Sequence, residues 1–213
     1  MSSVGPTLLV IAKSPAPGRV KTRLMPPCTP EQAAQLAGAA LSDTLAAASR
    51  TRRAARRVLV LDGAPLAWLP RDFEVLPQRG DGLAARLAAA FQAAGGPAFL
   101  VGMDTPQVTP ELLDAGLAAL EQGDAVLGAA LDGGYWGIGL RRPDPAAFRD
   151  VPMSEPSTAA VQRLRLAQLG LRTVLLPALR DVDTLADAEA VAAEAPHSRF
   201  AAALAVVAAE RAA

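Results

Sequence analysis

The chain has 213 residues, 51% of them hydrophobic, with twenty-one acidic side chains, twenty-one basic ones and a single cysteine. That length can bury a core as one domain. Balanced charge excludes a dedicated nucleic-acid-binding or polybasic membrane-surface protein, and one cysteine excludes an intramolecular disulfide framework and most cysteine-based zinc sites. The opening residues carry no basic segment, and the apolar run after them is too short to span a membrane, so the chain reads as cytoplasmic with no membrane insertion.

Strand-like and helix-like segments alternate along the chain, the pattern of an α/β sheet covered on both faces. Thr7–Ile11 reads as a buried strand and is followed by a Pro/Gly-rich loop. Thr29, Pro30 and Gln32 open a helix to about Ser49, with Thr29 and Gln32 spaced for a capping box. Strands are expected over 57–62, 73–76 and 98–102, with a helix capped by Asp81 running from there to about Ala93. Thr109-Pro110-Glu111 starts a helix that ends near Gly123, and two strands over 124–129 and 135–140 flank the turn Asp132-Gly133-Gly134. A helix over about 157–169, a strand over 172–176, a helix start at Thr184 and Asp187, and a last helix over about 198–211 complete the chain.

Both lysines, Lys13 and Lys21, fall in the first loop, where Arg19 and Arg23 join them; the other nineteen cationic positions of the chain are all arginine. Lysine presents a compact ammonium suited to phosphate. Four cations on a loop at a strand's end suggest an anion site, against the plain alternative of a solvated basic loop. The segment Gly18-Arg19-Val20-Lys21-Thr22 is not a P-loop: Val20 stands where the second glycine belongs, and Pro26-Pro27 prevent the helix that should follow.

Asp104 follows the strand 98–102, where ligands of open α/β sheets collect, and a hard divalent cation bound with phosphates commonly uses one or two carboxylates. An Asx-turn before Pro106 is the competing role. Asp183 follows a second strand and pairs naturally with Asp104, unless Asp181 or Asp183 merely caps the next helix. Residues 132–139 hold four glycines, which permit close backbone approach to a ligand or simply make a hairpin with a core aromatic. Gln78 sits in a loop where its amide could read a base edge or only complete a turn. His197 reads as a surface or cap group, Cys28 as a small buried residue, and the arginines at 52–57 as a solvated helix end.

Taken together, Ala12-Lys13, Pro17-Gly18, Lys21-Thr22-Arg23-Leu24, Gln78 with Gly80, Leu83 and Arg86, Gly102-Met103-Asp104-Thr105-Pro106, Asp132-Gly133-Gly134-Tyr135 and Asp181-Val182-Asp183-Thr184 resemble the DUF2064 family of the nucleotide-diphospho-sugar transferase (GT-A) superfamily. The Lys-Thr-Arg-Leu and Asp-x-Asp-Thr segments are also similar to those of phospholactate guanylyltransferases. The resemblance implies a single three-layer α/β/α domain with a mainly parallel sheet. It implies a nucleotide site at Lys13, Pro17, Gly18, Lys21, Thr22, Arg23, Gln78, Gly80 and Arg86, and an acceptor side at Gly133, Gly134 and Tyr135. Lys21, Arg23, Asp104 and Asp132 would carry the reaction, and Asp104 and Asp183 would hold Mg2+ or Mn2+.

The expected activity is a metal-dependent transferase using a nucleotide donor, an NTP or an NDP-sugar, and a small-molecule acceptor. A single acid at Met103-Asp104-Thr105, where many glycosyltransferases of this fold carry Asp-x-Asp, favours nucleotidyl transfer from an NTP to an anionic or phosphorylated acceptor. Sugar transfer with Asp132 as base is the alternative, and a degenerate nucleotide-binding module is the non-enzymatic one.

Overall fold

The computed structural model describes residues 5–212. Seven strands form one sheet in the order β3-β2-β1-β4-β6-β5-β7. These are β1 (Thr7–Lys13), β2 (Arg56–Asp62), β3 (Glu74–Pro77), β4 (Ala98–Val101), β5 (Ala125–Ala130), β6 (Tyr135–Leu140) and β7 (Thr173–Leu179). All neighbours pair in parallel except β6, which runs antiparallel to both β4 and β5. The helices are α1 (Pro30–Ser49), α2 (Gly82–Ala94), α3 (Pro110–Gln122), α4 (Thr158–Gln168), α5 (Leu185–Glu194) and α6 (Arg199–Ala212).

β1 lies inside the sheet, and its side chains alternate between two cores, as a pleated strand requires. Leu8 and Val10 pack under α1 and α3 with Leu41, Leu117 and Phe99. Leu9 packs on the other face with Leu87 and Phe91 of α2 and Leu166 of α4. The outer side of α1 buries Leu36 and Ala40 against Phe200, Leu204 and Val207 of α6, with Cys28 buried beside them. This is the three-layer α/β/α arrangement expected.

The helix starts follow their cap chemistry. Thr29 and Gln32 form the complete capping box on α1, and Thr184 with Asp187 forms a second one on α5. Thr184, and neither Asp181 nor Asp183, therefore caps that helix. Asp81 precedes α2 but its side chain accepts no bond from the helix, which corrects its expected capping role. Arg56 and Arg57 are not a solvated helix end either: both lie in β2, where Arg56 pairs with Glu74 at 2.6 Å and Arg57 donates to the Ala48 and Thr51 carbonyls at the end of α1.

The reversed direction of β6 shapes the site. Its pairing sets Val101 beside Gly137, and the Gly102 amide donates to the Trp136 carbonyl at 3.2 Å. The start of β6 and its preceding turn thus reach the same edge as the C-terminal ends of β1 and β4. Gly137 makes this fit possible through packing, because a Cβ there would stand 2.6 Å from the Phe99 ring. At Gly137, therefore, the missing side chain makes room for a core aromatic.

Candidate active site

Chain connections leave in opposite directions from β1 and β4, so a crevice opens outside their C-terminal ends, where ligands of open α/β sheets bind. A cleft of about 690 Å³ occupies it. The residues around the β1 and α2 ends include Lys13, Arg19, Lys21, Thr22, Arg23, Gln78 and Arg86. Across from them stand Asp104, Thr105, Asp132, Gly134, Tyr135, Met153, Ser154, Asp181 and Asp183.

Lys21 ties the two sides together. Its side chain is only 6% exposed, its ammonium lies 2.5 Å from Asp104 Oδ1, and it donates to the Val182 carbonyl. The residue holds a left-handed backbone conformation, φ 50°, at the entry to a single 3-10 turn over Thr22–Leu24. A side chain other than glycine rarely keeps that conformation unless tertiary contacts impose it, and these two do. No helix opens at Lys21-Thr22, so the loop is not a P-loop. Arg23 is mostly exposed and pairs with Asp183 at 2.5 Å.

Gln78 lines the cleft and makes three hydrogen bonds within the protein through its side-chain amide. Its amide nitrogen donates to the Ala12 carbonyl at 2.8 Å and the Val60 carbonyl at 3.2 Å, and its oxygen accepts from Arg86 Nη1 at 3.1 Å. Two carbonyl partners determine which end of the amide is nitrogen. Both N–H groups are thereby occupied and the oxygen keeps one lone pair toward the cleft; the side chain positions Arg86, which also pairs with Asp62 at 3.0 Å. Among the described residues, Lys13 and Arg19 are the cleft cations with no ion-pair partner.

Four predicted residues, Pro17, Gly18, Gly80 and Gly133, do not line the cleft. Gly80 acts through its carbonyl, which accepts weakly from Arg86 Nε at 3.4 Å. Gly133 seats the segment before α4: it has φ 93°, and a Cβ there would fall 1.9 Å from the Pro156 carbonyl oxygen. Asp132 makes an Asx turn, one carboxylate oxygen accepting from the Gly134 amide at 2.8 Å. The Tyr135 hydroxyl has Met153 Sδ as its hydrogen-bond partner at 3.6 Å, and burial raises its phenol above the ordinary range.

Asp181 is the residue that the spacing argument missed. Burial raises its carboxyl from 3.8 to about 7, the charges of Asp104, Asp132 and Asp183 push the same way, and Lys21 opposes them. One of its oxygens is buried with no hydrogen-bond partner. Its acid at a strand exit was visible in the sequence, but only burial separates it from Asp183 two positions on.

These donors fit a hard divalent cation in part. They are oxygen ligands, and an unpartnered buried carboxylate oxygen calls for a cation or a proton. Asp104 and Asp183 are each engaged by a basic side chain, and no group of three His, Cys, Asp or Glu side chains among the described residues is arranged to hold a metal. The set fits a site completed by phosphate oxygens and water, not a closed protein cage.

Comparison with known proteins gives the family and the fold. The model of the DUF2064 family, described as an uncharacterized protein conserved in bacteria, matches residues 32–155. No curated protein matches the chain. A candidate nucleotide-diphospho-sugar transferase from Desulfovibrio desulfuricans G20 superposes with a TM-score of 0.88 at 27% identity, covering 97% of this chain and 96% of that one. The 4-diphosphocytidyl-2C-methyl-D-erythritol synthase of Anaerococcus prevotii DSM 20548 shares the fold at TM-score 0.59 and 11% identity, over 91% of this chain and all of that one. CMP:2-keto-3-deoxy-manno-octonic acid synthetase, solved with CTP, shares it at 0.57 and 14%, over 90% and 98%. The chain belongs to the DUF2064 family and has the α/β/α fold of nucleotide-diphospho-sugar transferases.

Proposed function

We propose that this chain is a nucleotide-dependent transferase that works with a divalent cation and moves a nucleotidyl group from an NTP, releasing pyrophosphate. One observation carries the reading: a cleft at the strand ends with a basic loop on one side and aspartates on the other. Lys13 and Arg19, without ion-pair partners among the described residues, are available to a polyphosphate, and Arg86 is held in place for it by Gln78 and Asp62. Lys21 and Arg23 sit between the phosphate side and the carboxylates, where they can follow charge as it moves onto the leaving group. Asp104, Asp181 and Asp183 would hold Mg2+ or Mn2+, which when bound neutralises charge on the phosphate oxygens. The nucleotide use named for the fold's solved relatives supports the same reading.

Glycosyl transfer from an NDP-sugar is the second reading, supported by the description of the Desulfovibrio relative and by Asp132, whose exposed carboxylate could accept a hydroxyl proton. A panel of NTPs and NDP-sugars with Mg2+ or Mn2+ separates the two. Pyrophosphate released from an NTP in step with acceptor supports nucleotidyl transfer, while turnover of NDP-sugars alone sinks it.

A further inference from the structure

Asp104 follows β4 and Asp181 follows β7, two strands that the sheet order β4-β6-β5-β7 sets three inter-strand spacings apart, about 14 Å. Acids on exits so far apart can face one cation only where their loops lean toward each other across β6 and β5. Among the described residues, two hydrogen bonds cross between those loops. The Val182 amide donates to the Asp104 carbonyl at 2.9 Å, and Gln107 Nε2 donates to the Arg180 carbonyl at 2.7 Å. They grip the residues on either side of Asp181. Val182 is held in further ways, since its side chain is buried with Leu24 and Leu36 and its carbonyl accepts from Lys21. Arg180 pairs through its side chain with Asp187 of α5, in the same stretch of chain, so Gln107 alone ties it to the β4 side.

Gln107 is presented by a tight turn. The Val108 amide donates to the Thr105 carbonyl at 3.0 Å, and Pro106, second in the turn, fixes the backbone just before Gln107. A carbonyl partner requires the nitrogen end of the Gln107 amide, so its orientation is determined. Its oxygen is buried with no partner, which makes the bond to Arg180 the one hydrogen bond of this side chain among the described residues. Gln107 does not line the cleft. It sits three residues after Asp104, so one turn both carries the first acid and grips the backbone of the second.

We propose that Gln107 is a positioning residue that holds Asp181 beside Asp104 for a shared divalent cation, an inference that rests on the metal-dependent reading above. One Asp181 oxygen is buried without a partner, so the backbone on either side of the residue decides where its carboxylate stands. Without the Gln107 amide, the Arg180 carbonyl has no donor on the β4 side and turns toward water, taking the start of the 180–184 segment with it. Asp181 then leaves the position from which it faces the cation, while Asp104 stays bound to Lys21. Support of this kind, one shell behind the ligands, sets metal affinity without touching substrate.

The test uses the full chain and calorimetric binding of the four α,β-methylene NTPs, which cannot turn over, each with EDTA and with Mn2+. The ratio of the two Kd values for the tightest of them is the gain in affinity that the metal gives. Gln107→Leu should cut that gain at least fivefold while leaving the Kd in EDTA within twofold of wild type. In a chain that already carries Asp181→Asn, the same substitution should change the gain by less than twofold, because the residue through which Gln107 acts is gone. Should Gln107→Leu fail to fold, Gln107→Met, unbranched and of matching length, takes its place. A smaller loss in the first background, a larger one in the second, or a shifted Kd in EDTA overturns the positioning role. A wild-type chain that binds nucleotide with no gain from Mn2+ overturns the metal-dependent reading, and this assignment with it; one that binds no nucleotide overturns the transferase reading.

Discussion

Replacing Asp181 with asparagine should stabilise the metal-free protein, and by an amount that grows with pH. The Asp181 carboxyl moves from 3.8 to about 7 on folding, chiefly through burial and then through Asp104 and Asp132. Between those two values the folded state holds a proton that the unfolded state has lost, so stability falls as pH rises through the window. Each pH step there costs about 1.4 kcal/mol, and the full span comes to about 4 kcal/mol above pH 8. Asparagine keeps the shape and never ionises. Some of the gain is offset because its amide must still find partners, so about 2–4 kcal/mol at pH 8 is expected, with little difference at pH 4. For a chain of this length that is a rise in Tm of roughly 5–15 °C. Thermal melts in EDTA at pH 4, 6 and 8 measure it. Adding Mg2+ or Mn2+ at pH 8 should raise the wild type and leave Asp181→Asn nearly unmoved. A Tm difference that is flat with pH, or a destabilised variant at pH 8, would refute the reasoning that burial among like charges raises this group.

Lys21→Met removes an ammonium that joins Asp104 to the Val182 carbonyl; a loss of about 2 kcal/mol by urea unfolding is expected, limited because Asp104 is half exposed, together with at least tenfold weaker NTP binding. Gly133→Ala places a methyl against the Pro156 carbonyl at φ 93°, so Tm should fall by roughly 5–10 °C through displacement of the segment before α4, while an unchanged melt would show that this segment yields freely. Gln78→Leu strands two backbone carbonyls and releases Arg86; nucleotide affinity measured by calorimetry should drop about tenfold for every base alike, whereas loss for one base alone would restore the amide as a base reader. Asp104→Asn and Asp183→Asn should each lower the metal-dependent part of nucleotide binding, and wild-type binding with metal by both would remove them as ligands.

Much of the fold was legible because its signals are local. Thr29-Pro30-Glu31-Gln32 carries its own cap chemistry, and α1 starts where those residues require. Runs such as 98–101 are apolar on both faces, which marks a strand buried between two layers. Strand order and the antiparallel course of β6 were not legible, since pairing depends on contacts across distances that no single segment encodes. Asp81 shows the limit of local reasoning: the right residue type preceded α2, yet its side chain makes no cap bond.

For the site, the two lysines in one loop and the acids at strand exits were legible because both features are written in residue type and position, and the structure brings them to one cleft. What each of them does was decided by tertiary contact. Lys21 became the buried tie between two loops, Gln78 the support of Arg86 and Gly133 a seat for Pro156. Asp181 and Asp183 differ by two positions and by nothing chemical. Burial with an unpartnered oxygen sets the first apart, and pairing with Arg23 occupies the second, because solvation and charge neighbours exist only once the chain has folded.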